Sequence, residues 1–340
     1  MQCKIEYLLI VFITSVCIFP AFAFEISQVK VGASPWAVSA NSATNNIYVT
    51  NYGNDSVSVI DGNTNSVIDN IIVGENPTGV AVNQATNFIY VSKFSAPTIS
   101  VIDGKTNSVT ATIPVKTQPN GIGINEVTNQ IYVANTGSAS VSVIDGKTNS
   151  VTATIPVAAR PTAVSINPST DTAYVTNSGN DSVSIINTKT NSVIKTIPVG
   201  SGPTGIAINQ NTNKIYVSSS KTEQVFVIDG NTNTVSANVT VGPNPDGVSV
   251  DYNHDMVYVA NSGDGTVSVI DSKTNTVSET IPAGTHVYGI ATNPSTGIIY
   301  AGNDNPGIIY IISDSEKSQA VNHSIWDSVV QFFSHLFNLK

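Results

Sequence analysis

Trp36, Asp246 and Tyr288 hold the same place in a recurring unit of this chain. Each directly follows a position occupied by Pro35, Pro77, Pro119, Pro161, Pro203 and Pro245 in six units and by Val287 in the seventh. The residue ahead of that position varies as much and includes His286. A second variable stretch of the unit contributes Tyr52, Lys93 and Phe94. Aromatic faces beside polar groups suit stacking on a sugar or another flat ligand. Trp36, Tyr52, Lys93, Phe94, Asp246, His286 and Tyr288 are therefore the candidate ligand-binding residues. A glycan, a small molecule or a surface protein would be a partner of suitable chemistry.

Catalysis is harder to assemble from these residues. A nucleophilic triad needs a base oriented against a serine, and His286 is the only histidine in the variable stretches. His254 falls in a different turn, and His323 and His335 lie near the end of the chain. Copper and haem sites built on several histidines are out of reach. Asp251-Tyr252-Asn253-His254-Asp255 opens like a calcium loop, but Met256 stands where the glycine belongs and Ser262 where the last glutamate belongs. A polar turn is expected there, with no metal and no cofactor anywhere. The enzyme alternative is a lyase or hydrolase acting through His286 and Asp246.

Charge and composition narrow the classes further. The net charge is −9, and Arg160 is the only arginine. A nucleic-acid partner needs a basic stripe to displace counterions, so none is expected. Lys4, the apolar run from Leu8 to Phe19 and Ala21-Phe22-Ala23 read as an export signal over residues 1–23. Both cysteines, Cys3 and Cys17, fall inside it, so the mature chain has no disulfide and no thiolate site. An acidic, exported chain fits an extracellular or cell-surface location. Asn54, Asn180, Asn238 and Asn322 head sequons that permit glycosylation.

The elements that must hold the candidate residues follow from the period. Tyr48, Tyr90, Tyr132, Tyr174, Tyr216, Tyr258 and Tyr300 recur at steps of 42 residues, a spacing that belongs to solenoids and propellers. In the unit from Pro77 to Val115, four short runs alternate with period two: around Val80 and Val82, Phe88 to Val91, Ile99 to Ile102 and Val109 to Val115. Turn residues separate them, as in Asp103-Gly104-Lys105-Thr106-Asn107. Four antiparallel strands per unit without a helix make a propeller blade. Gly79, Gly121, Gly205, Gly247 and Gly289, two residues after the proline position, suit the crowded innermost strand. Pro114, Pro156, Pro198 and Pro282 suit the outer edge, where no ladder donor is needed. The seventh unit lacks a fourth strand, and Glu25 to Val31 can supply it by pairing with Ile308 to Ile312. The expected fold is all-β: a seven-bladed β-propeller over residues 24–313, closed by an N-terminal outer strand. The loops from strand four to strand one and from strand two to strand three then share one face, which carries the variable residues.

Tyr48-Val49-Thr50-Asn51, Tyr132-Val133-Ala134-Asn135 and Tyr174-Val175-Thr176-Asn177 resemble the YVTN-type β-propeller repeat of archaeal surface-layer-like and secreted bacterial proteins. The resemblance covers residues 25 to 313, strengthened by the recurring Ile-Asp-Gly-Lys-Thr-Asn segment. It implies the propeller fold. The group includes surface proteins, a few nucleic-acid binders and relatives of lyases, so the resemblance implies a binding or structural module without fixing its ligand. Lyase relatives would want a histidine pair with a carboxylate on the variable face, of which His286 is one half.

Residues 314–340 form a separate part, a polar linker followed by a short amphipathic helix. Ile325, Trp326, Val329, Val330, Phe332, Phe333, Leu336, Phe337 and Leu339 share one half of a helical wheel. Fifteen residues from Ile325 to Leu339 are too few to span a bilayer of about 30 Å, but can lie at its surface or against a partner.

Overall fold

Val, Ile and Tyr alternate with small polar residues in every unit, and each run becomes a strand. The structure, a computed structural model, describes residues 24–314. The leader expected over 1–23 lies outside the described residues, as do the linker and helix beyond Asp314. Blade two shows the pattern: an inner strand Pro77–Asn83, a second Phe88–Lys93, a third Thr98–Asp103 and an outer strand Ser108–Pro114. These four form one antiparallel sheet in sequence order, and six such sheets follow one another from Pro35 to Pro282.

The seventh sheet closes the ring as expected. Its order is Phe24–Lys30, Ile308–Asp314, Ile298–Asn303, Val287–Asn293, so the first strand of the chain becomes the outer strand of the last blade. That strand lies one residue earlier than the expected Glu25 to Val31, and the Val31 amide instead bonds the Gly307 carbonyl at 3.0 Å. Val29 packs with Ile309 and Ile311 in one core cluster.

The middle strands are buried on both faces because each blade packs against two neighbours. Tyr90, Ile99, Val101 and Ile113 of blade two join Ile131, Val133 and Ile144 of blade three in a single cluster. The outer strands are mostly exposed, and Pro114, Pro156, Pro198 and Pro282 each end one of them.

Polar side chains add hydrogen bonds of their own between blades. The Tyr132 hydroxyl donates to Asn191 Oδ1 at 2.9 Å and that of Tyr174 to Asn233 Oδ1 at 3.0 Å, each in the next blade. Burial pushes both phenols up to about 12. Below the blades, Asn41 donates to Asn87, Asn83 to Asn129 and Asn167 to Asn213 at 2.7–2.8 Å. Asn293 makes the same bond to Asn45 at 2.7 Å, across the closure, so four of the seven junctions carry it. Asn45, Asn87, Asn129 and Asn213 have φ between +53° and +58°. Asparagine tolerates that left-handed turn better than most residues, so one residue serves both the turn and the bond between blades.

The repeated aspartates cap their turns. Asp61, Asp103, Asp145, Asp229 and Asp271 each accept the amide two residues on, at 2.7–2.9 Å, and Asn187 does the same. Asp251 likewise accepts the Asn253 and His254 amides, which makes its segment the polar turn the sequence suggests.

Candidate functional site

Around the axis each inner strand begins with a bulge. The ladder pairs Pro35 with Asn51 and then Val38 with Val49, leaving Trp36 and Ala37 opposite Thr50. The hydroxyl at that opposing position fills the gap. Ala37, Gly79, Ala163 and Gly205 donate their amides to the hydroxyls of Thr50, Ser92, Thr176 and Ser218 at 2.8–2.9 Å. Those hydroxyls donate onward to the carbonyls of Thr78, Asn120, Thr204 and Asp246 in the next blade, at 2.5–3.0 Å. The result is a clip from blade to blade. It also requires close approach: a Cβ on Gly121 would stand 2.6 Å from Ala163 Cα, and one on Gly247 2.5 Å from the Tyr288 carbonyl. Small residues on the inner strand are thereby explained.

The clip is missing at three junctions, where Ala134, Ala260 and Gly302 occupy the hydroxyl position. At the first, Thr136 Oγ1 reaches the Pro161 carbonyl at 2.6 Å instead. The other two junctions join blades six, seven and one. Asp246, Tyr288 and Trp36 stand on those three blades, whereas blades two to five carry Thr78, Asn120, Thr162 and Thr204 in the same place.

These residues line an axial cavity of about 360 Å³. Trp36 is 38% exposed at its mouth. Tyr288 stacks on it across the closure of the ring, with centroids 5.1 Å apart and planes at 12°. Tyr52, from the loop after the second strand of blade one, leans on the same indole at 5.8 Å and 38°. Asp246 is half-buried in the cavity wall, and desolvation pushes its carboxyl up to about 6 against the opposing effect of a hydrogen bond with Thr204. Burial also raises the Tyr288 phenol, and the charges of Asp304 and Asp246 add to that effect.

The remaining candidates sit elsewhere on the variable face. Its two sets of loops are stapled together by backbone bonds, including Tyr52 to Ser34, Phe94 to Asn76 and Asp304 to His286. His286 is exposed and pairs with Asp304, Nδ1 to Oδ1 at 3.7 Å. It is not among the residues that line the cavity with Asp246. Phe94 is half-buried in its loop and Lys93 is only 8% exposed; neither lines the cavity. Lys93 occupies the slot that asparagine fills in most units. In blade one, Asn51 there donates to Ser56 and Ser58 at 3.1 and 2.9 Å. With lysine in that slot, Ser100 turns to the Val73 carbonyl and Thr98 Oγ1 is left without a partner. Desolvation lowers the Lys93 ammonium from its ordinary value.

Of the seven candidates, then, the structure brings Trp36, Tyr288 and Asp246 into one cavity wall, sets Tyr52 against Trp36 without lining the cavity, and leaves Lys93, Phe94 and His286 outside it. Sequence reading missed the clip hydroxyls. Their signal is the residue two after each repeat tyrosine, which runs Thr50, Ser92, Ala134, Thr176, Ser218, Ala260, Gly302.

A family model described as a YNCE-like beta-propeller matches residues 124–255, from the third blade into the sixth. No curated protein matches the chain. Among solved structures, the hydrazine synthase of Kuenenia stuttgartiensis is similar with a TM-score of 0.76 and 19% identity, over 84% of this chain and 97% of that one. At that identity the likeness concerns the fold. Solved chains match in large number, 1586 of them, so the fold singles out no activity.

Proposed function

We propose that the protein is a secreted or surface-held binding propeller whose ligand meets the aromatic stack at the axial mouth and hydrogen-bonds Asp246, with no catalytic step. The observation that carries the reading is the Trp36–Tyr288 pair, stacked at 5.1 Å over a cavity that also holds Asp246. Concave sites with an aromatic wall and few polar groups are where small ligands bind. The three departures from small neutral residues fall on consecutive blades, as a one-sided ligand would require. His286 and Asp246 share no hydrogen bond and no cavity, so the acid–base pair needed by a lyase or hydrolase gains no support from their placement. Placement outside the cell rests on the leader-like segment ending at Ala21-Phe22-Ala23.

A glycan and metabolite screen read by tryptophan fluorescence tests this. Trp326 is the only other tryptophan, so a Trp326→Phe background isolates Trp36. A ligand should quench or shift the signal, and Trp36→Ala should weaken binding at least tenfold, about 1.4 kcal/mol. Undiminished affinity in Trp36→Ala would place the site elsewhere. The same preparation, expressed with its native start, should leave the cell with a mass that begins at Phe24; retention from Met1 would remove the secreted half of the reading.

A further inference from the structure

We infer that the ligand of the axial mouth carries an organic ammonium group, held between the Asp246 carboxylate and the ring of Tyr288, which Trp36 backs by stacking. This deepens the binding reading above and rests on it. Among the described residues, Asp246 is the one charged residue lining the cavity, and the other lining residues are neutral. The ion pairs among the described residues join Lys189 to Asp171, His254 to Asp251, Lys273 to Asp255 and His286 to Asp304, and none involves Asp246. Asp246 thus lines a cavity whose described wall holds no cation. Burying it further beneath a neutral ligand would desolvate an unpaired charge, which is unfavourable. A cationic ligand reverses that sign, because it pairs the charge it covers.

The aromatic wall points the same way. Ring faces attract ammonium groups, most strongly where water is excluded. Asp304 adds negative potential at Tyr288, and the whole chain carries −9, so the charge balance disfavours an anionic ligand. A cavity of about 360 Å³ is near the lower limit for ligand pockets, which suits a single small molecule. An amine on a flat or ring-shaped body, such as an amino sugar, uses both the carboxylate and the aromatic faces.

Calorimetry on the mature full chain at pH 7 tests this with two cations and their uncharged twins. Glucosamine is compared with glucose, and choline with 3,3-dimethylbutan-1-ol. At least one cation should bind tenfold or more tightly than its twin, and Asp246→Asn should bring cation and twin within threefold while the protein stays folded. A twin that binds as well as its cation, or a preference that survives Asp246→Asn, overturns the inference. If neutral twins bind equally and still quench Trp36, only the ammonium assignment falls and the aromatic site stands. If no probe binds and the fluorescence never moves, while the wider screen is also blank, both fall.

Discussion

Asp246 bears the one charge in the axial cavity wall, and its carboxyl is pushed up to about 6 by desolvation. An unfolded aspartate titrates at about 3.9. Between those values the folded chain keeps a proton that the unfolded chain has released, so stability falls as pH rises through the window. At pH 7 the full cost is present. Asp246→Asn should therefore stabilise the protein at pH 7 by about 1–2 kcal/mol, with the gain fading toward pH 4. Chemical denaturation at the two pH values checks this, and an equal effect at both would assign the change to packing instead of charge. A residue that weakens its own fold is expected where a ligand needs it. Lys93 shows the limit of that argument. It too is a buried charged group with a shifted ammonium, but it fills an asparagine slot, orphans a threonine and does not line the axial cavity.

Four of the seven blades are tied to the next by one hydroxyl at the inner bulge, so the junctions that lack it can be repaired one at a time. Gly302 faces the bulge at Tyr288 and Gly289, and a Cβ there would meet its nearest neighbours at 3.5 Å, an ordinary contact. Its φ lies outside the left-handed region, so serine fits without strain. Gly302→Ser should restore the bond to the Trp36 carbonyl and stabilise by about 0.5–1.5 kcal/mol, with a further few tenths from a stiffer unfolded chain. Unchanged or lower stability on thermal unfolding would mean that the Trp36–Tyr288 stack already holds this junction and leaves no room for the clip. Strands and turns were readable in the sequence because their signals are local: period two in Phe88 to Val91, an aspartate and a left-handed asparagine around each Gly-Lys-Thr turn. The shared mouth of Trp36, Tyr288 and Asp246 was readable too, since equal repeat positions must lie at equal heights on the ring. Lys93 was not, because the direction of a strand-end side chain depends on the slot its neighbours build. The clip escaped notice because it joins a bulge in one blade to a carbonyl in the next, a relation no single unit displays.

The whole ring depends on its two ends meeting in one sheet. Phe24–Lys30 covers the edge of Ile308–Asp314, Val29 fills the core beneath, and the Asn293–Asn45 bond and the Trp36–Tyr288 stack cross the same closure. Blades one to six each hold four strands of continuous chain, so only the seventh is composite. Removing residues 24–31 would leave three strands there and a bare row of amides and carbonyls. Each lost ladder bond is worth roughly 0.5–1.5 kcal/mol net, so the truncation should cost on the order of 5 kcal/mol. That is a large share of the roughly 5–15 kcal/mol that holds a domain together. The exposed edge would also recruit another copy, strand to strand. Thermal unfolding and light scattering of the chain begun at Gly32, beside the chain begun at Phe24, decide the matter. The truncated form should melt well below the intact one and run as oligomers. If it melts at the same temperature and stays monomeric, the ring is held by its inner strands and asparagine bonds, and the N-terminal strand only decorates it.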